Sequence, residues 1–233
     1  MAKRLNLAKG IKIEKDELNI MKIAIIGKPN VGKSSLFNHL YGEERSIVTP
    51  IAGTTRDSID EKVKIGGEEY IFIDTAGLKR KTKINEGLEK ASSYKSINAI
   101  DRSNLIIYVL DVSSYVVGYD IKLINYAWKK GKSILVIVNK WDIKSADMTE
   151  RKYQELVNLD YSIFKKFSFV FVSAIKGTGM DKMLEEIKRL AVVSSTTIKT
   201  SRLNNEIKKI VSEMGYIGMK VFYAVQTRKS PIE

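Results

Sequence analysis

Gly27-Lys28-Pro29-Asn30-Val31-Gly32-Lys33-Ser34 decides how the rest of the chain is read. Five residues before it, from Lys22, the sequence is Lys-Ile-Ala-Ile-Ile, an apolar run of strand length, and beyond it residues 34–41 carry helical spacing. A strand that runs through a glycine loop of the form G-x-x-x-x-G-K-S into a helix is the context of a phosphate-binding loop. Glycines let backbone amides turn inward around phosphate oxygens, and the helix N-terminus adds the positive end of its dipole. Lys33 then neutralises the β- and γ-phosphates of a nucleoside triphosphate, and the Ser34 hydroxyl becomes a Mg²⁺ ligand. The expected phosphate-binding set is Gly27, Asn30, Val31, Gly32, Lys33, Ser34 and Ser35.

Working outward, strands and helices alternate, which is the pattern of an α/β fold with a mainly parallel sheet. Strands are expected over residues 22–26, 58–65, 68–73, 105–110, 133–138 and 169–172. Helices are expected over 34–41, 88–100, 119–130, 149–159 and 180–190. Gly66-Gly67 reads as the hairpin turn joining two of the strands. From about residue 191 to 199 the chain is rich in Ser and Thr and reads as a linker. Residues 201–214 follow as an amphipathic helix with Leu203, Ile207, Ile210, Val211 and Met214 on one side, and residues 220–226 read as a strand. The expected division is a tail at 1–20, a nucleotide-binding domain at 21–192, a linker at 193–199 and an incomplete α+β unit at 200–233.

Two more motifs sit at strand ends. Asp74-Thr75-Ala76-Gly77 offers a carboxylate for Mg²⁺ and a glycine whose backbone can approach a γ-phosphate. Asn139-Lys140-Trp141-Asp142 suits a guanine base: the Asp142 carboxylate accepts from N1–H and the N2 amino group, a pairing adenine does not offer. Polar groups left unpaired would reject the wrong base. Asn139 braces that loop, and the stem of Lys140 lies along the ring. Ser173-Ala174, after the next strand, places backbone amides where a guanine carbonyl would be. In Gly53-Thr54-Thr55-Arg56-Asp57, a hydroxyl that joins the Mg²⁺ shell only in the triphosphate state would make the loop a switch; Thr55 is preferred to Thr54. Each short match taken alone is also compatible with an ordinary capped turn.

The composition restricts the classes. The 233 residues include no cysteine, so disulfides and thiolate metal sites are excluded, and a reducing compartment is permitted. No apolar run approaches the roughly 20 residues needed to cross a bilayer, and residues 1–20 lack the apolar centre of a secretory signal. Forty Lys and Arg against 27 Asp and Glu leave a net charge of +13. That favours a polyanionic partner, nucleic acid first. A lysine-rich composition without a specific partner gives the same number.

With these motifs in order, the sequence resembles the translation-factor-related GTPases, and within them the Der (EngA) family of ribosome-assembly GTPases. The segments that carry the likeness are GKPNVGKSSLFN, IAGTTRD, DTAGLKRK and VNKWD, with TSRLN from Thr200 to Asn204 resembling the start of the family's KH-like domain. The resemblance runs from about Lys22 to Gln226 and is to the second of the family's two GTPase domains. It implies a Ras-like P-loop GTPase, a three-layer α/β fold with a mainly parallel six-stranded sheet and an incomplete KH-like α+β appendage. It also implies GTP hydrolysis with Mg²⁺, stimulation by K⁺ held through Asn30, a role in large-subunit assembly through the subunit or its ribosomal RNA, and a cytoplasmic location. The alternative is that Asn30 serves only to shape its loop. Leu78 stands where many such enzymes carry the glutamine that orients water, so Gly77 and Leu78 are expected in a switch with slow intrinsic turnover. The single histidine, His39, reads as structural. The basic run Lys79-Arg80-Lys81 is either an RNA or domain contact or a solvated loop. Relative to the family, the chain reads as a piece of a longer architecture. A nucleotide-dependent RNA-binding module without hydrolysis, or another P-loop enzyme such as an ATPase or kinase, are the competing readings; Asn139–Asp142 argues against the latter.

Overall fold

The computed structural model describes residues 20–43, 60–79, 89–195, 198–213 and 224. In chain order the elements are β1 (Met21–Ile26), α1 (Lys33–Glu43), β2 (Glu61–Ile65), β3 (Glu68–Phe72), α2 (Ala76–Lys79), α3 (Glu89–Arg102) and β4 (Leu105–Asp111). They continue with α4 (Gly118–Lys129), β5 (Ser133–Asn139), α5 (Glu150–Asp160), β6 (Ser168–Phe171), α6 (Met180–Ser195) and α7 (Thr200–Glu213). The six strands form one sheet in the order β2-β3-β1-β4-β5-β6, parallel except for the β2–β3 pair. This is the P-loop GTPase architecture expected from the sequence.

Side-chain alternation builds the three layers. In β4, Leu105, Ile107 and Val109 enter one core while Ile106, Tyr108 and Leu110 enter the other. All seven residues of β4 and all seven of β5 are buried, as strands covered by helices on both faces must be. The first core takes Leu36, Phe37 and Leu40 of α1 with Met180, Met183 and Ile187 of α6. The second takes Leu123 and Ile124 of α4, Ile100 of α3 and Tyr153 of α5. The β2–β3 hairpin turns at Gly66 and Gly67, φ 54° and 86°, the paired positive φ values that a tight two-residue turn requires.

Two features depart from the sequence reading. Helix α6 continues to Ser195, so residues 193–195, expected in the linker, form its last turn. Leu190 and Ala191 still pack on the core, and the buried Ser194 hydroxyl lies 2.7 Å from that of Ser133. A Ser/Thr-rich composition conceals such contacts. Short helical turns over Ala76–Lys79, Trp141–Ile143 and Ser162–Lys166 occupy stretches read as loops. The expected strand at 220–226 lies outside the described residues apart from Ala224, and so do residues 58 and 59 of the second strand.

Ala224 is held by α7. The Asn204 side-chain amide donates to the Ala224 carbonyl at 2.8 Å, and its oxygen accepts from the Ala224 N–H at 2.8 Å. Asn204 thus imitates a neighbouring strand. In Asn204→Ala the amide of Ala224 is expected to exchange about tenfold faster, from loss of roughly 0.5–1.5 kcal/mol per bond. Hydrogen exchange read by NMR checks this, and unchanged protection would exclude the pairing as the restraint.

Candidate functional site

The phosphate loop is closed from behind by its own lysine. Lys33 Nζ donates to the carbonyl of Gly27 at 2.8 Å and to that of Lys28, and burial lowers its pKa to about 8. Gly27 and Gly32 adopt φ values of 149° and 97°. A Cβ at Gly27 would strike the Val109 carbonyl, and one at Gly32 would strike the Asn139 amide nitrogen. Glycine is therefore required at both positions by close backbone approach as well as by conformation. Val31 is buried in the core beneath the loop, Ser34 lies in the first turn of α1, and Ser35 faces solvent.

The base-reading loop follows β5. Asn139 is 2% exposed; its Nδ2 donates to the Val31 carbonyl at 2.8 Å and its Oδ1 accepts from the Ala174 N–H at 3.0 Å. One side chain thus ties the phosphate loop to the loop after β6. Lys140 has φ 60° and its ammonium meets Asp111 Oδ2 at 2.6 Å. The Ser173 hydroxyl bonded to Asp142, together with the charge of Lys176 at 4.0 Å, holds the Asp142 carboxyl below the usual range. The N–H groups of Ser173 and Ala174 were expected to face the base. Here the first donates to the Thr178 carbonyl at 3.0 Å and the second to Asn139, so these two residues brace the neighbouring side chains.

Asp74 stands in the turn two residues after β3 with φ 56°, and its N–H donates to Asp60 Oδ1 at 3.1 Å. Burial pushes the Asp74 carboxyl up, offset in part by the charges of Lys95 and Arg102. A hydroxyl at Ser34 and a carboxylate at Asp74 are hard oxygen donors of the kind Mg²⁺ takes. Among the described residues no cluster of three or more His, Cys, Asp or Glu forms a metal site, so such an ion would complete its shell with nucleotide oxygens and water. Gly77 and Leu78 fall in α2, where Leu78 is 6% exposed and packs into the core. Thr54 and Thr55, and the basic run after Lys79, lie outside the described residues.

Among the described residues, only Asn30, Asp74 and Lys140 combine a non-glycine side chain with positive φ, and all three stand in these loops. Such conformations cost of order 1–3 kcal/mol each and persist where surrounding contacts impose them. The sequence reading missed the groups that impose them. Asp111, at the end of β4, would be raised by burial, but hydrogen bonds from Lys140 and Ser113 outweigh this and hold it low. Lys28 Nζ reaches the Tyr115 carbonyl at 2.7 Å and Asp120 Oδ2 at 3.1 Å. Asp120 is fully buried and also accepts from the Tyr108 hydroxyl at 2.8 Å and the Val117 N–H at 2.9 Å. Burial and the Asp120 charge push the Tyr108 phenol up, which keeps it a donor. The one available signal was Asp111, an acid closing the apolar run of β4.

Residues 22–140 match the family described as 50S ribosome-binding GTPase, and residues 89–192 match the elongation factor Tu GTP-binding domain. The chain is 40% identical over 220 residues to GTPase Der of Alkaliphilus oremlandii, covering 91% of this chain and 50% of that protein. It spans about half the length of the curated relatives it matches. Among solved structures, Era of Aquifex aeolicus bound to GDP and AlF₄⁻ is 26% identical with a TM-score of 0.52, covering 73% of this chain and 56% of that one. Era in complex with MgGDPNP and a 16S ribosomal RNA segment gives the same identity and TM-score over 72% and 55%. No helix among the described residues is long and apolar enough to cross a membrane. With loops gathered at four strand ends and a family match that begins at β1 and ends at Lys140, the chain belongs to the 50S ribosome-binding GTPase family as a GTP-binding GTPase domain similar to Der.

Proposed function

We propose that this chain is a slow, potassium-stimulated GTP switch that acts in assembly of the large ribosomal subunit, in the cytoplasm, through contacts with the subunit or its ribosomal RNA. The observation that carries the reading is Asn139, whose amide locks the phosphate loop to the base-reading loops in one buried arrangement. The family description and the Der relatives support the ribosomal assignment.

In this reading the amides of the loop from Gly27 to Ser35, with Lys33, hold the β- and γ-phosphates. Asp142 reads the guanine edge, and Ser173 and Ala174 keep Asp142 and Asn139 aimed. Ser34, Asp74 and Thr55 hold Mg²⁺, which supplies positive charge to the phosphates. Asn30 offers a neutral amide oxygen to K⁺, a monovalent charge in the place that an arginine finger takes elsewhere. Thr54, Thr55 and Gly77 form the elements that respond to the γ-phosphate. The Leu78 side chain is apolar and packed inward, so it brings no hydrogen bond to an attacking water, and slow intrinsic turnover follows.

Lys33→Ala is expected to weaken GDP binding at least about 100-fold, from the loss of charged hydrogen bonds worth about 1.5–3 kcal/mol each. Titration with a fluorescent GDP measures it, and wild-type affinity would overturn the phosphate-loop assignment. Asp142→Asn removes two bonds of the same strength, so guanine affinity should fall roughly 10²–10⁴-fold. Xanthine nucleotides should gain, because an amide can donate to the xanthine carbonyl; an intact guanine preference sinks this assignment. GTP turnover at matched ionic strength should be at least about tenfold faster in KCl than in NaCl, and Asn30→Ala should abolish the difference. Equal rates in the two salts remove the potassium role. No turnover in either leaves a nucleotide-dependent RNA-binding module.

A further inference from the structure

The nucleotide loops occupy the C-terminal ends of the parallel strands; the N-terminal ends assemble a different surface. Trp128, in the last turn of α4, packs edge-on against Phe167, with ring centres 5.6 Å apart. This contact joins segments distant in sequence and brings the exposed pair Lys165 and Lys166 to the end of α4, where the exposed Lys129 and Lys130 follow Trp128 in the chain. Lys166 Nζ lies 4.6 Å from the centre of the Trp128 ring, and Lys130 Nζ lies 5.3 Å from that of Tyr126. Asp101 lies 3.6 Å from Lys130 and already accepts from the Tyr126 hydroxyl at 2.9 Å.

Helix ends explain part of this. A cation beside the last carbonyls of α4 gains about 0.3–1 kcal/mol from the helix dipole. The five-residue turn Ser162–Lys166 is too short to build a comparable dipole, yet it carries two adjacent lysines. Among the described residues neither Lys165 nor Lys166 makes an ion pair. Lys166 instead rests on an aromatic face, which holds an ammonium at the surface without neutralising it. Trp128 and Phe167 are half-buried and partly covered by lysine, so the surface presents charge and leaves little ring area for stacking bases. An array of exposed ammonium groups on one pole of the sheet fits a row of phosphates.

We propose that this lysine face, Lys129, Lys130, Lys165 and Lys166 around Trp128, binds the phosphate backbone of a folded RNA whatever nucleotide the chain carries. The proposal rests on the ribosomal reading above and adds to it a surface and a mode. Independence from nucleotide follows from position: β5 runs from Ser133 beside the end of α4 to Asn139, about 20 Å at roughly 3.3 Å per residue. The face would act as a constant anchor, leaving the loops at the other pole to switch.

The test uses the whole chain and a fluorescently labelled RNA hairpin, titrated over a range of salt with GDP and with a non-hydrolysable GTP analogue. Lys129→Gln, Lys165→Gln and Lys166→Gln combined should lower RNA affinity about tenfold or more at ~0.1 M salt and reduce the log–log salt slope by roughly 2. GDP affinity, GTP turnover and the thermal midpoint should stay at wild-type values, which separates lost contacts from lost folding. Equal affinity and slope in the combined variant overturn the lysine face while leaving an RNA partner in place. A wild-type chain that binds no RNA in either nucleotide state overturns both this proposal and the ribosomal reading. Binding in the GTP state alone overturns the constant anchor. If the combined variant instead loses binding to phosphatidylserine vesicles and keeps RNA, the face is a membrane contact and the proposal fails.

Discussion

The carboxamide of Asn139 sits almost fully buried between the phosphate loop and the ends of β5 and β6, donating from its nitrogen to the Val31 carbonyl and accepting with its oxygen from the Ala174 N–H. Each of its bonds replaces water that a buried backbone group has lost, so neither the Val31 carbonyl nor the Ala174 N–H can be abandoned without a desolvation cost. Gly32 must be glycine because Asn139 comes so close. The main chain after Asn139 then turns through Lys140 in a left-handed conformation and is pinned by the Trp141 N–H to the Val172 carbonyl at 3.0 Å. The positions of the phosphate loop, of Asp142 and of the Ser173 loop therefore follow from one side chain.

A second constraint acts on the other side of the phosphate loop. Asp120 is a carboxylate with no exposure to water, and an unpaired charge in that position would be strongly unfavourable. Its partners come from β4, from the start of α4 and from Lys28, so the charge is tolerated only while those elements keep their places. The phosphate loop is thus fixed by a neutral amide from one direction and by a charged group from the other. Tyr115, 90% exposed, lends its carbonyl to the same lysine, which brings a surface loop into direct contact with the nucleotide site.

Strand polarity divides the molecule. In a parallel sheet every strand delivers its C-terminal end to the same side, which is why loops from β1, β3, β5 and β6 can surround one ligand. Helices run back the other way and end at the opposite pole, where cations are favoured at their termini. The basic excess is consequently distributed between lysines bonded within the loops at the strand C-termini, such as Lys28, Lys33 and Lys140, and lysines held away from them around Trp128.

Local signals were sufficient for much of this. The run from Lys22 to Ser34, the Gly66-Gly67 turn and the apolar strands ending near Asp111 and Asn139 each state their structure in nearest-neighbour terms: hydrophobic period, φ preference, motif spacing. They determined the fold class and the six strands, and they marked Lys33, Asp74 and Asp142 as the candidates for the site. The end of α6 was not legible, because Ser194 is buried by Ser133, a residue sixty-one positions earlier. The groups that hold the site rigid were hidden for the same reason: Asp111 with Lys140, Asp120 with Lys28 and Asp60 with Asp74 are pairs that only the packed sheet brings together. The use of the Ala174 N–H was decided there too, since a hydrogen bond goes to the nearest buried acceptor, and sequence spacing does not say which acceptor that will be.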